Sequence, residues 1–138
     1  MSSSERRKGV RGELEVAAIF REVGFDCDRT PNSGGLRIKG DLAGSVPAHV
    51  EVKRQEVLRL PLWLRQARDE APAGVVPVVA FRQSRGEWYA ALPLAHLAAL
   101  MAVAGTSLPS DWQPMLASGR WGLATRKIDP DKWREAAS

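Results

Sequence analysis

The sequence predicts an α/β domain with a mixed central β-sheet flanked by helices. Three observations predict it. Helical and strand-like periodicities alternate along the chain, and the valine-dense run Val75–Phe81 has the character of a buried strand. The 138 residues, 44% hydrophobic and 26% charged, suffice for one core and leave little room for a second. The expected order is helix, three strands, helix, two strands, helix, tail.

Residues 5–23 read as the first helix, with Leu14, Ala17, Ala18 and Val23 at helical spacing and Gly24 as its stop. Phe25–Arg29 alternates apolar and polar residues, which suits a short strand. Thr30-Pro-Asn-Ser-Gly-Gly35 is a stack of turn formers. Ile38–Ala43 and His49–Gln55 are expected as two paired strands joined by Gly44–Ala48. Leu60, Trp63, Leu64, Ala67 and Ala71 mark one apolar face of a helix over residues 60–71, with Pro61 in its first turn. Pro77 inside the valine run argues for a bulge or an edge position. Glu87–Leu92 follows as a strand after the polar turn Arg82–Gly86, and residues 93–104 as an apolar helix closed by Gly105. Beyond it, Trp112, Trp121 and Trp133 are scattered among prolines and glycines, with one short helix after Asp129-Pro130. Residues 1–105 are therefore assigned to the core and residues 106–138 to an extension of the same domain.

Composition excludes several classes. A single cysteine, Cys27, leaves no internal disulfide and no cysteine-built zinc site. The longest apolar stretch, Leu92–Gly105, contains Pro93 and His96 and is too short to span a bilayer. Met1–Lys8 lacks the apolar run of a secretory signal, so a cytoplasmic, reducing compartment is expected. Twenty basic residues against sixteen acidic give +4, and fifteen of the twenty are arginines. Residues 1–68 hold thirteen basic and nine acidic residues, whereas residues 69–138 hold seven of each, so the whole excess lies in the first half. With a pI near 9.7, that asymmetry is the footprint of a phosphate-binding surface.

Val50-Glu51-Val52-Lys53 concentrates the chemistry. In a strand Val50 and Val52 face one side, while Glu51 and Lys53 face the other, about 7 Å apart. Asp41, from the preceding strand, can join Glu51 on that face. Two converging carboxylates are costly to keep ionised, and a divalent cation removes the cost. Hard oxygen donors suit Mg²⁺, with Mn²⁺ as a substitute, rather than zinc. Lys53 can then balance charge or orient an attacking water. Glu13 lies in Lys8-Gly9-Val-Arg11-Gly12-Glu13, where Gly9 and Ala17, one turn to either side, let the first helix lie close to the sheet, so that Glu13 completes the site. A lone Glu-x-Lys describes a solvated sheet face. Glu13, the glycine- and serine-bearing loop before Asp41 and the basic first half turn the reading toward a site. His49 is assigned to packing on the face opposite Lys53, His96 to a helix face, Cys27 to a small strand position, and Trp63 and Trp88 to the core.

The same residues resemble the archaeal-type Holliday junction resolvases of the PD-(D/E)XK nuclease superfamily. The likeness starts at Lys8-Gly9 and Glu13 and runs through Gly24-Phe25, Arg29, Ser33-Gly34-Gly35, Gly40-Asp41-Leu42-Ala43 and Val50–Lys53. It continues more loosely through Arg65-Gln66-Ala67, the valine strand ending in Phe81 and Glu87-Trp88-Tyr89, covering roughly residues 6–97. It implies a restriction-endonuclease-like core with Glu13, Asp41, Glu51 and Lys53 catalytic, the three carboxylates around a metal, and Ser33 near the scissile phosphate. It further implies a homodimer that cuts two opposing strands of a four-way DNA junction. Arg6, Arg7, Lys8, Arg11, Arg29, Arg37 and Lys39 are candidates to hold the duplex arms, and Gln55 and Gln66 to position phosphate or water. The likeness departs at Gly40, where the superfamily nominally has proline, and residues 106–138 match none of its pattern. Flaps, nicked or damaged duplex are alternative substrates, and a non-cleaving nucleic-acid-binding module is the alternative from another class. The apolar stretch Leu94–Met101 is a candidate dimer interface, with core packing as its other explanation.

Overall fold

The structure, a computed structural model, describes residues 2–30 and 40–104. Ser33, Gly34, Gly35, Arg37 and Lys39, together with the tail tryptophans and the short helix expected after Asp129-Pro130, lie outside the described residues. Among the described residues, no helix is long and apolar enough to cross a membrane.

Helix α1 spans Ser3–Glu22, starting earlier than the apolar spacing indicated. Its start is a capping box. The Ser2 hydroxyl accepts from the Glu5 N–H at 3.2 Å, and the Glu5 carboxylate accepts from the Ser2 N–H at 2.7 Å. At its end Gly24 takes φ of +101°, and the Phe25 N–H returns to the Phe20 carbonyl at 3.1 Å. Strand β1, Cys27–Arg29, follows and pairs antiparallel with β2, Leu42–Gly44. Gly44, at φ +136°, makes that pairing possible: a Cβ there would sit 2.1 Å from the Asp26 carbonyl oxygen.

The main sheet has three strands in the order β3-β4-β5: Ala48–Arg54, Val76–Arg82 and Tyr89–Ala91. β3 and β4 are parallel and are joined by helix α2, Leu60–Glu70, while β5 returns antiparallel. The fold is thus the expected mixed α/β arrangement, compatible with a restriction-endonuclease-like core. The strand pairing differs from expectation at one place. β2 forms its ladder with β1 and not with β3, and Asp41 alone bridges toward β3, as described below. Pro77 stands in the central strand, two residues before the β5 pairing begins at Val79. There, among the described residues, β4 has a hydrogen-bonding neighbour on one side only, which is how a central strand tolerates it.

Alternation divides the core between the two sheet faces. Val50, Val52 and Ala80 pack with Val16 and Phe20 of α1, whereas Val79 and Phe81 pack with Trp63, Leu64 and Ala67 of α2. Close approach of α1 rests on Gly12, not on Gly9. A Cβ at Gly12 would lie 3.4 Å from both Arg54 Cβ and Trp88 Cη2, but a Cβ at Gly9 would meet nothing within 4 Å. Ala17 is fully buried. Helix α3, Leu94–Ala104, has no buried residue, and Leu94 and Val103 are 78% and 86% exposed. Core packing among the described residues therefore does not account for its apolar composition.

A buried ion pair ties α1 to the sheet. Arg82 Nη1 donates to Glu15 Oε2 at 3.1 Å, and Trp88 Nε1 donates to the same oxygen at 3.0 Å. The Arg82 guanidinium also lies 5.8 Å from the Trp88 ring centroid. Removing one partner leaves the other charge buried and alone, at a cost of about 3 kcal/mol. Glu15→Ala is accordingly expected to lower unfolding stability by about that amount in urea titrations. Glu22→Ala, at the exposed end of α1, should stay within about 0.5 kcal/mol of wild type.

Candidate active site

The site forms where β2 approaches β3. Gly40 precedes Asp41, whose backbone N–H donates to the Val50 carbonyl at 3.1 Å and whose carbonyl accepts from the Thr30 N–H at 2.9 Å. The Asp41 side chain turns to the same strand, and Oδ2 accepts the Val52 N–H at 2.7 Å. Val52 lies between Glu51 and Lys53, so this bond pins the Asp41 carboxylate beside both. The pairing expected of two full strands is thereby carried out by one residue through its backbone and its side chain.

Glu51 points to the sheet face covered by α2 and is 4% exposed. Its Oε1 lies 3.0 Å from His49 Nε2, a nitrogen that is also 3.9 Å from Glu70 Oε2. Burial pushes the Glu51 carboxyl up to about 9, with the neighbouring carboxylates of Glu70 and Asp41 pushing the same way. On the other side of Asp41, Glu13 accepts from Arg29 Nε at 2.9 Å. Burial raises the Glu13 carboxyl above its usual range; Arg29 opposes the rise, and the Asp41 charge adds to it. Asp41 is thus the member common to two acidic groups, one with Glu13 and one with Glu51 and Glu70.

The other expected residues take varied positions. Lys53 is half-buried, two residues beyond Glu51 on the same face and opposite Phe81. Arg6, Arg7 and Arg11 are exposed on α1. Lys8 Nζ lies 3.5 Å from Glu56, and Arg29 is engaged with Glu13, so both already hold acidic partners. Gln55 is exposed at the end of β3, and Gln66 is half-buried on α2.

His49 corrects the sequence reading. Period-2 alternation places residues 49, 51 and 53 on one face, so His49 belongs with Glu51 and Lys53, and its ring meets the Glu51 carboxylate. Glu70 was missed. Its signal lay in the helix spacing, because it falls one turn beyond Ala67 on the stripe of Trp63 and Ala67, where an acid is out of place among core residues. Glu15 was missed for the same kind of reason, standing one residue before the buried pair Val16 and Ala17.

Two carboxylates, Asp41 and Glu70, converge on the buried Glu51, and His49, Glu51 and Glu70 place donor atoms within 4.8 Å of one another, an arrangement that fits a divalent cation. A family model described as phage putative PDDEXK endonuclease matches residues 4–111. The chain belongs to that family. No curated protein and no solved structure matches it. Membership makes the chain a nuclease of the PD-(D/E)XK superfamily, which generally uses divalent metals. The match reaches that level and does not single out the archaeal-type Holliday junction resolvases.

The Asp41–Val52 bond can be isolated by two substitutions that both remove the charge. Asn at position 41 keeps a side-chain oxygen to accept the Val52 N–H, and alanine does not. Asp41→Ala is expected to unfold about 1 kcal/mol more easily than Asp41→Asn by chemical denaturation in EDTA. Equal stability of the two variants would show that the bond does not hold the site together.

Proposed function

We propose that this nuclease is a Mg²⁺-dependent, structure-selective endonuclease that resolves four-way DNA junctions as a homodimer, with Mn²⁺ able to substitute. The observation that supports it most is the buried Glu51 carboxylate with Asp41 pinned beside it, at the positions the resemblance assigns to the metal. Asp41 and Glu51 would hold the ion, with Glu13 on the far side of Asp41. When bound, the cation supplies positive charge against the phosphodiester and an acidified water.

The chain's own groups supply the remainder. Lys53 extends from the Glu51 face as a point charge able to orient the attacking water or to steady the charge developing on the phosphate. Ser33 donates to a phosphate oxygen. Arg6, Arg7 and Arg11 meet duplex backbone from the exposed side of α1, with Arg37 and Lys39 from the segment before Asp41. Lys8 and Arg29 can add to them by exchanging exposed or half-exposed ion pairs, which are weak. Such contacts read phosphate, so binding falls steeply with salt and selects branched shape over sequence. A four-way junction presents two equivalent scissile phosphates, and a closed two-fold pair of chains matches that symmetry.

A flap or nicked-duplex nuclease would use the same residues, and substrate comparison separates it from a resolvase. The experiment is incubation with a synthetic four-way junction, a flap and a linear duplex, each with and without Mg²⁺. Paired symmetric nicks on the junction alone, only with Mg²⁺, are expected. Asp41→Asn and Glu51→Gln should abolish cleavage while junction affinity stays within a few-fold. Wild-type turnover by either variant contradicts the site, and preferential cutting of flaps contradicts the substrate.

A further inference from the structure

His49, Glu51 and Glu70 form a second set of donors, of which the nuclease reading uses only Glu51. Their donor atoms all lie within 4.8 Å of one another. His49 Nε2 is 3.0 Å from Glu51 Oε1 and 3.9 Å from Glu70 Oε2. Two atoms bound at about 2.1 Å to one ion stand about 3.0 Å apart at right angles and about 3.4 Å apart in a tetrahedron, so these separations bracket a shared ion. The set is not merely acidic, since one of its three donors is an imidazole with 4% side-chain exposure. The fold makes room for that ring. A Cβ at Gly40 would come within 3.2 Å of His49 Cε1 and 3.3 Å of Nδ1, so the residue before Asp41 is tied to the placement of the histidine.

We propose that His49, Glu51 and Glu70 constitute a cation subsite of their own, sharing Glu51 with the Asp41 side and selective for a borderline metal such as Zn²⁺ or Co²⁺ over Mg²⁺. An imidazole nitrogen favours borderline ions, while the all-oxygen Asp41 side favours hard ones. The subsite deepens the nuclease reading, on which its position beside the reacting phosphate rests. The metal-binding claim itself stands on the three side chains. α2 supplies Glu70 from its last turn, so the crossover helix between β3 and β4 becomes part of the site and not only part of the core.

The test uses the tag-free full chain, stripped of metal and titrated with ZnCl₂ while its imidazole ¹⁵N resonances are followed. The chain has two histidines, and His96 on α3 serves as the internal reference. One equivalent of zinc is expected to move the His49 ring nitrogen and leave His96 in place. Glu70→Gln, at a position with 38% side-chain exposure, is expected to fold and to weaken zinc binding tenfold or more in competition with a chelating dye. Glu22→Gln should not change it. A His49 resonance unmoved at saturating zinc overturns the subsite, as does Glu70→Gln binding zinc as tightly as wild type. Neither readout involves DNA. Cleavage lost with zinc still on His49 fails the nuclease reading alone, and cleavage intact with His49 unmoved fails the subsite alone.

Discussion

A carboxylate buried among carboxylates is the constraint around which this structure is arranged. Glu51 sits in the middle of a parallel strand, beneath α2, with Asp41 and Glu70 close enough to push its carboxyl up to about 9. Burying such a group costs free energy that neither propensity nor packing recovers. The surrounding elements hold it in place at that cost. β3 carries it in a seven-residue ladder with β4, Asp41 clamps the outer edge of the strand, and His49 meets its oxygen.

That arrangement explains why the fold is built as it is on each side. On the α1 face the sheet is held by apolar packing, by the close approach at Gly12 and by the Glu15–Arg82–Trp88 cluster, whose polar atoms satisfy one another. On the α2 face the apolar contacts of Trp63, Ala67 and Val79 lie next to an acidic group in which His49 Nε2 stands 3.0 Å from the Glu51 carboxyl. Two buried polar clusters therefore serve different ends. One joins Glu15, Arg82 and Trp88; the other gathers Asp41, His49 and Glu70 around Glu51. The large upward shift of the Glu51 carboxyl is the pattern of a functional site.

Much of this was legible in the residues. Alternation in Val50–Lys53 gave the facing of Glu51 and Lys53, and the apolar spacing of Leu60, Trp63, Leu64 and Ala67 gave α2. What local pattern does not carry is which strand pairs with which. Leu42–Gly44 joins β1 because Gly44 permits a backbone approach to Asp26 that any side chain would block. The link to β3 is one residue, Asp41, bonded through its backbone N–H and its carboxylate, and it has no periodic signature. Glu70 and Glu15 were hidden because an acid at a helical core position is a long-range fact, decided by partners on other elements. His49 was legible by the same alternation that placed Glu51.

Thermal melting with and without Mn²⁺ tests whether the acidic cluster at Glu51 is a cation site. In EDTA near pH 7, Glu51→Gln is expected to melt no lower than wild type, because burial already holds the Glu51 carboxyl in its neutral form and glutamine keeps its shape without charge. Mn²⁺ at a hundred times its dissociation constant should stabilise wild type by about 2.7 kcal/mol, seen as a rise of several degrees. The variant should gain little. A wild-type protein that Mn²⁺ does not stabilise, or a Glu51→Gln variant that it stabilises equally, would contradict the claim.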